Sequence, residues 1–385
     1  MIDWRSKGFW LPEGTFSGNP SIFDGGFTWP LMVVRRDAVA ANIATMAAYC
    51  RRHGVEFAPH AKTTMAPGLL DAQMRAGAWG MTVATPNQAL VLRRLGIDRV
   101  LIANQVLDPT ALAWLARESA AGWEVCFQVD SIAGVEAAAA TGGPLRVLVE
   151  LGHPGGRTGV RDLDALEAVA RAVAAAPGLE LAGVTGYEGQ LPDVDAVDGF
   201  LDLLVDGFLR LGAAGLLPER PWLSAGGSAW FDRVIERFAR VGSQARILVR
   251  SGASVTHDDG FYRTRTPFVR VPSEGPLDAA LEIWAQVLST PEPGLAIVGM
   301  GKRDAPFDEG LPVPLSVFPD LPAEGITVTK LNDHHTYLSV AGADLTPGTL
   351  IRFGISHPCT AFDKWRAIPV VDEERRVVDV LETYF

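Results

Sequence analysis

Two sequence textures alternate between residues 31 and 270, and this alternation limits the possible folds more than any other feature. Helical stretches rich in Ala, Leu and Arg separate short apolar runs. These runs are VEFAPHAK, WGMTVAT, RVLIAN, EVCFQVD, LRVLVEL, LAGVTGYEG, PWLSAGGS and RILVRSG. Strands that alternate with helices indicate right-handed βαβ units and a parallel sheet. Eight units without a reversal predict a closed (β/α)8 barrel. The alternative, an open doubly wound sheet, lacks a GxGxxG motif after the first strand.

The texture changes near residue 271. Strand-like runs separated by Pro and Gly turns follow as far as residue 385, which predicts a second, β-rich domain over residues 271–385 and a barrel domain over residues 31–270. Residues 1–30 show little periodicity but contain many aromatic residues, namely Trp4, Phe9, Trp10, Phe16, Phe23, Phe27 and Trp29. We expect this segment to pack on the second domain or on a partner subunit.

Composition excludes several classes of function. The 385-residue chain has a net charge of −11 and no Lys/Arg-rich run, so a nucleic-acid partner is not expected. It has no apolar segment of membrane-spanning length and no signal-peptide core near its start, so neither a membrane partner nor secretion is expected. The three cysteines are far apart and odd in number, which favours a reducing cytoplasm over a disulfide framework.

Lys62 is one of only five lysines, against 29 arginines. It follows the first apolar run, in the segment PHAKT, where a barrel strand would end. Arginine supplies positive charge equally well, but only lysine has an amine that can lose its proton and attack a carbonyl. Lys62 is therefore a candidate Schiff-base residue. An ordinary ion pair is the alternative.

Polar residues end each of the predicted strands, which is where (β/α)8 barrels place their active sites. They are His60, Lys62, Thr85, Asn104, Gln128, Asp130, Glu150, Tyr187, Glu188, Ser224–Ser228 and Arg250. The segment SAGGS, with Gly226, Gly227 and Ser228, follows the seventh run, and its adjacent glycines favour a phosphate site over a simple tight turn. Together with Lys62, these groups suggest pyridoxal phosphate.

Arg157 follows a glycine pair in ELGHPGGRTG and is placed to meet an anionic oxygen, unless it is a surface arginine. Tyr187 could contact a planar ring, or it could cap the core.

His357 and Cys359 are two residues apart on a predicted strand, so both side chains would point to one face, where they suit a divalent metal such as zinc. The alternative is a buried structural cysteine. His334, His335 and Asp333 are weaker candidates for the same metal site. Cys50 and Cys126 are expected in the core.

The motifs PHAKT, AGAWGMTVAT, ELGHPGGRTG, GYEGQ, SAGGS and HPCTAFDKW together resemble those of the D-threonine aldolase and D-serine dehydratase family. Members are fold-type III pyridoxal-phosphate enzymes related to alanine racemase. The resemblance implies that Lys62 binds the cofactor covalently and that His60 lies beside the substrate. It also implies that Arg157 meets the cofactor's phenolic oxygen and Tyr187 lies near its ring nitrogen, with the phosphate on Gly226, Gly227 and Ser228.

The resemblance also implies a metal on His357 and Cys359, because members bind a divalent ion on such a pair. A metal-binding pair of His and Cys resembles the dehydratase branch of the family, whereas the D-threonine aldolases have His and Asp at these positions. We therefore expect elimination of water and ammonia from a 3-hydroxy-D-amino acid, as in D-serine dehydratase. The alternatives are retro-aldol cleavage of D-threonine or 3-hydroxyaspartate, and a pyridoxal-phosphate carrier without activity. Racemisation would need a second base that the sequence does not reveal. A homodimer that completes the active site is also expected.

Overall fold

The computed structural model describes residues 2–12, 15–342 and 344–385, and these residues form two compact units. The barrel unit consists of Ala47–Lys62 and Ala72–Gly252. The β unit consists of the described residues of Met1–Met46, together with Thr63–Asp71 and Ala253–Phe385. The chain therefore passes between the units several times.

The strands and helices follow one another along the whole chain. The strands are β1 (Leu31–Arg35), β2 (Glu56–Phe57), β3 (Met81–Val83), β4 (Arg99–Gln105), β5 (Glu124–Val129), β6 (Leu145–Leu151), β7 (Leu179–Gly186), β8 (Trp222–Ala225), β9 (Arg246–Val249), β10 (Leu281–Glu292), β11 (Leu295–Val298), β12 (Val313–Val317), β13 (Leu321–Pro322), β14 (Ile326–Leu331), β15 (Thr336–Val340), β16 (Leu350–Gly354), β17 (Ala367–Val371) and β18 (Val377–Glu382). The α-helices are α1 (Arg36–Arg52), α2 (Pro67–Arg75), α3 (Pro86–Arg94), α4 (Pro109–Ala120), α5 (Ile132–Ala139), α6 (Leu163–Ala175), α7 (Val194–Ala213), α8 (Phe231–Phe238) and α9 (Pro267–Arg270). Short 3₁₀ turns span Ala61–Thr63, Ala239–Gln244, Ala253–Val255, Tyr262–Thr264, Pro272–Glu274, Pro358–Thr360 and Phe362–Lys364.

The barrel unit contains an eight-stranded parallel sheet in the order β2-β9-β8-β7-β6-β5-β4-β3. A parallel bridge between His60 and Thr82 joins its two ends and closes the barrel. Residues from or beside each strand fill the interior with one apolar cluster, formed by Ala58, Trp79, Leu101, Cys126, Leu148, Ala182, Trp222 and Leu248. The barrel is therefore a packed core, and chemistry is confined to its rim.

Capping residues fix where several barrel helices begin. Thr85, Asp108, Ser131, Asp162 and Asp193 stand immediately before α3, α4, α5, α6 and α7, and each side-chain oxygen accepts a backbone N–H from the first turn. These bonds satisfy N–H groups that have no partner within the helix. The loops between strand and helix therefore have defined ends, which positions the residues at the barrel rim.

The β unit is built on a largely antiparallel sheet whose main path runs β13-β12-β16-β10-β1-β17-β18, with β11, β14 and β15 extending from β10. Apolar residues from the chain start pack on one part of this sheet, where Phe9, Ile22 and Phe27 cluster with Leu31 and Trp284. The aromatic segment before residue 31 is thus part of the β unit.

The predicted fold class, a (β/α)8 barrel with a mostly β second domain, is confirmed, and the eight apolar runs contain or overlap β2 to β9. The predicted boundaries at residues 31 and 270 differ from those of the structure. Leu31–Arg35 pairs with β10 and β17, so it belongs to the β unit, as do residues 253–270. The reason is that the apolar composition of a strand does not reveal which sheet the strand joins. Over the described residues, every helix is too short or too polar to cross a bilayer.

Candidate functional site

Lys62 and His60 lie just beyond β2, at the carboxyl end of the first barrel strand. The chain stays attached to the barrel there, because the Ala58 N–H donates to Val249 and the Thr82 hydroxyl donates to the Ala58 carbonyl at 2.7 Å. His60 then bridges to Thr82, and Lys62 follows in the 3₁₀ turn Ala61–Thr63. Both predicted residues therefore stand at the C-terminal rim of the barrel, where (β/α)8 enzymes generally place their active sites.

His60 is a neutral imidazole among positive side chains. Burial lowers its pKa well below the ordinary value, and the charges of Lys62, Arg250 and Arg157 lower it further. Its Nδ1 is buried and has no hydrogen-bond partner among the described residues. Hence His60 carries no charge at neutral pH and has a ring nitrogen available for a bound molecule.

A small cavity opens at the rim of the barrel beside Arg157 and Tyr187. The guanidinium carbon of Arg157 lies 4.9 Å from the centroid of the Tyr187 ring. Other lining residues are Glu150, Gly152, His153, Thr158 and Gln190. The structure thus brings the two predicted residues together at one cavity. Glu150 accepts the Thr158 hydroxyl at 2.9 Å, and burial raises the pKa of its carboxyl.

The glycine pair after β8 binds the side-chain carboxylate of Glu188. The Gly226 and Gly227 N–H groups donate to the two oxygens of the Glu188 carboxylate, at 3.1 and 2.5 Å. Gly226 has a φ of +106°, and a Cβ there would lie 3.1 Å from the Cβ of Val249. This turn therefore requires glycine and can bind a negatively charged group. Sequence reasoning placed Glu188 at a strand end but gave it no role.

Two further polar groups border this turn. The Ser228 hydroxyl, predicted to bind phosphate, lies 3.0 Å from that of Ser251. Arg250 is buried and donates to the Thr185 and Ser224 hydroxyls and to the Gly186 carbonyl. Burial lowers the pKa of Arg250, while the negative charge of Glu188 opposes that shift. The ends of β7, β8 and β9 therefore share one hydrogen-bonded network.

The second predicted group, His357 and Cys359, lies in the β unit but not on a strand. Strand β16 ends at Gly354, and His357 precedes the 3₁₀ turn Pro358–Thr360. The predicted strand is wrong here because Pro358 has no N–H to extend a ladder. The turn nevertheless brings the imidazole and the thiol into hydrogen-bond contact.

Asp308 holds the His357 ring from its other side. The His357 Nδ1 donates to Asp308 Oδ2 at 2.8 Å, and the Thr360 hydroxyl donates to Oδ1 at 2.8 Å. Burial alone lowers the pKa of His357, but the hydrogen bonds and charges of Cys359 and Asp308 outweigh it and raise the pKa to about 9. Burial raises the pKa of Asp308, but the bonds from Thr360 and His357 bring it below its ordinary value. Sequence reasoning missed Asp308, which lies 49 residues from His357.

Cys359 is the middle residue of the turn Pro358–Thr360, and its thiol lies 3.6 Å from the Thr63 hydroxyl. Across the described chain, no third His, Cys, Asp or Glu approaches closely enough to complete a set of three metal ligands. An imidazole and a thiolate suit zinc and related ions, and only two protein ligands would leave positions for water or substrate.

The weaker metal candidates lie elsewhere in the β unit. His334 is exposed, with its Nδ1 3.9 Å from Asp304. Asp333 forms an exposed ion pair with Arg303 at 3.3 Å, and His335 is exposed. Cys50 and Cys126 are buried, and burial raises the pKa of both thiols to about 12, which agrees with the predicted core positions.

Comparison with known proteins identifies relatives of both parts of the chain. The family model for the alanine racemase N-terminal domain matches residues 34–249, and that for a putative serine dehydratase domain matches residues 280–371. A D-threonine aldolase from Arthrobacter sp. is 28% identical over 380 residues, which cover 95% of this chain and 94% of the relative. A 3-hydroxy-D-aspartate aldolase from Paracoccus denitrificans is 28% identical over 305 residues, covering 76% and 77% of the two chains.

One solved structure matches nearly the whole chain. The D-threo-3-hydroxyaspartate dehydratase from Delftia sp. HT23 superimposes with a TM-score of 0.77 at 25% identity, covering 93% of this chain and 98% of that one. The relatives therefore include aldolases and a dehydratase, two kinds of lyase that act on related compounds.

Proposed function

Because the chain belongs to the fold-type III pyridoxal-phosphate family that includes alanine racemase, we propose that it is a metal-assisted lyase of 3-hydroxy-D-amino acids. Loss of water and ammonia, as in D-serine and 3-hydroxyaspartate dehydratases, is the proposed outcome. The observation that carries this proposal is the contact between His357 and Cys359, an imidazole and a thiol that no third candidate ligand among the described residues joins.

The barrel unit fits pyridoxal phosphate in three respects. Lys62 stands at the end of the first barrel strand, where its amine could bind an aldehyde. The cavity at the barrel rim is lined by Arg157 and by the Tyr187 ring, which suit an anionic oxygen and a planar ring. The Gly226 and Gly227 N–H groups bind the Glu188 carboxylate, so the turn suits an anion, and the Ser228 hydroxyl beside it would bind the phosphate.

Pyridoxal phosphate, when bound, supplies an electron sink that stabilises negative charge at the substrate Cα. Lys62 would hold it and, once its amine is released, would take the Cα proton. Arg157 would offset the negative charge of a phenolic oxygen. His60, kept neutral by burial and by nearby cations, would accept a hydrogen bond from the substrate without adding a further positive charge.

His357 and Cys359 would hold the divalent ion, and zinc is the metal that this ligand pair suits best. The ion would supply a Lewis acid for the 3-hydroxyl, which is otherwise a poor leaving group. Further support comes from the related D-threo-3-hydroxyaspartate dehydratase. Its variants replace a histidine and a cysteine that stand two positions apart, and the cysteine variant is a metal-free form. His357 and Cys359 have the same spacing.

Retro-aldol cleavage is the second candidate, because the D-threonine aldolase relative matches nearly the whole chain. The purified enzyme, loaded with pyridoxal phosphate and Zn²⁺, should be incubated with D-serine, D-threonine and 3-hydroxy-D-aspartate. Ammonia with a keto acid would support elimination, whereas glycine with an aldehyde or glyoxylate would support cleavage. Neither product pair from any of the three substrates would contradict the proposed function. A homodimer and a cytoplasmic location stay predictions.

A further inference from the structure

We propose that Asp308 is a positioning residue of the metal site, since its carboxylate fixes the His357 ring so that Nε2 is the nitrogen presented to the metal. This inference rests on the metal site of the proposed function. It adds a residue that acts through His357 and does not itself bind the ion.

Both oxygens of Asp308 are used, which makes its position specific. Oδ2 accepts from the His357 Nδ1 and Oδ1 accepts from the Thr360 hydroxyl, each at 2.8 Å. His357 directly precedes the 3₁₀ turn that contains Cys359, and Thr360 is the last residue of that turn. The carboxylate therefore connects the two ends of the segment that would hold the metal, and it restricts both the ring and the turn.

The bond at Nδ1 also decides which tautomer His357 adopts. A metal binds the neutral form of His357, which has one N–H, and a carboxylate at Nδ1 keeps that hydrogen there. Nε2 is then the acceptor that can bind a cation. Metal-binding histidines generally donate their other nitrogen to a carboxylate or carbonyl in this way, and the partner orients the ring and makes the ligand more basic.

Neighbouring rings hold the imidazole in the same orientation. The centroids of Phe261 and Tyr262 lie 6.0 and 5.8 Å from that of His357. These ring contacts restrict tilting of the imidazole, whereas the hydrogen bond to Asp308 selects its tautomer. A surface ion pair of no consequence is the alternative, since the Asp308 side chain is 41% exposed.

Metal affinity of the purified protein tests the inference without any assay of turnover. Zn²⁺ affinity would be measured by competition with a chromophoric chelator for wild type, D308A, D308N, H357A and D308A/H357A. D333A is the matched control, because it removes an exposed aspartate of the same unit that pairs with Arg303 instead. Circular dichroism would confirm that each variant is folded, and T360V provides a second, milder way to loosen Asp308.

D308A should weaken Zn²⁺ binding about 10- to 100-fold, as loss of such a partner usually does. D308N should be intermediate, because its amide oxygen can still accept from Nδ1, and D333A should match wild type. In the H357A background, D308A should cause no further loss, since Asp308 acts only through that ring. With Co²⁺ as probe, D308A should keep the thiolate charge-transfer band but shift the ligand-field bands.

Two results would overturn the inference while leaving the proposed metal site intact. One is wild-type affinity in both D308A and T360V. The other is an equal loss from D308A with and without His357, which would show a general charge effect. If wild type itself binds no Zn²⁺ through His357 and Cys359, the metal part of the proposed function fails, and this inference fails with it.

Discussion

The hydroxyl of Thr63 lies 3.6 Å from the thiol of Cys359, although 296 residues separate them. Thr63 directly follows Lys62, the predicted cofactor lysine. A residue of the lysine segment therefore contacts a predicted metal ligand within the β unit. We expect a change at Cys359 to affect metal binding and catalysis, because Cys359 is a predicted metal ligand, while attachment of the cofactor to Lys62 persists despite this contact.

Removal of the metal should stop turnover and leave the cofactor bound. Pyridoxal phosphate would be held by barrel residues, whereas the 3-hydroxyl needs a Lewis acid that contributes several kcal/mol. Treatment with EDTA should thus suppress product formation, preserve the visible absorbance of the enzyme, and be reversed by Zn²⁺. Metal analysis and absorbance spectra on the same samples would check this.

Replacement of Cys359 should reproduce the chelated state. C359A leaves His357 as the sole member of the pair, so it should bind metal weakly and be inactive even with added Zn²⁺ at the wild-type optimum. H335A is the control, because His335 is exposed and outside the pair. Full turnover by C359A that contains no metal would return His357 and Cys359 to a structural role.

Substitution of Glu188 by glutamine should destabilise the turn at Gly226 and Gly227. Both glycine N–H groups need an acceptor, and glutamine offers one oxygen and one NH₂ group. One buried N–H would lose its partner, at a cost of about 1–3 kcal/mol in the free energy of unfolding. Urea denaturation of E188Q, with the exposed-site variant E136Q as control, would measure this loss.

The affinity of E188Q for pyridoxal phosphate tests whether the turn contributes to binding of the cofactor phosphate. If Glu188 supports the turn and Ser228 beside it binds the phosphate, E188Q should weaken pyridoxal-phosphate binding as well. Unchanged stability together with tighter cofactor binding would instead mean that the Glu188 carboxylate competes with phosphate for the glycine N–H groups.

His257 should make stability depend on pH. It is buried, and burial lowers its pKa to about 4, whereas an unfolded histidine titrates near ~6.5. Below pH 6.5 the unfolded chain therefore binds a proton that the folded chain does not, so stability falls as the pH falls toward 4. Between pH 7 and pH 5 this group should account for a loss of about 2 kcal/mol in the free energy of unfolding.

The variant H257N removes this titration without straining the backbone. His257 has a φ of +48°, in the left-handed region that asparagine also tolerates. Urea unfolding at pH 7 and pH 5 should show a smaller loss for H257N than for wild type. Equal losses of stability in the two proteins would show that folding does not lower the pKa of His257.

The repeated apolar runs predicted the barrel because eight strands, each followed by a helical stretch, leave few other arrangements. Lys62, Arg157 and Tyr187 could be proposed from their places after those runs. The unit boundaries could not, because Leu31–Arg35 has the texture of a barrel strand but pairs with β10. Asp308 and Glu188 could not be assigned roles either. Their roles come from side-chain contacts at 2.5–3.1 Å between distant segments, which no local pattern reveals.

The identity of the cofactor lysine tests the central claim most directly. The holoenzyme would be reduced with borohydride, digested, and mapped by mass spectrometry for the pyridoxyl-phosphate adduct across the five lysines. The account predicts one major adduct, on Lys62, and no visible cofactor absorbance after dialysis of K62A, whereas K330A should behave as wild type. A major adduct on any other lysine, or K62A that retains the absorbance of a lysine-bound cofactor, would contradict it.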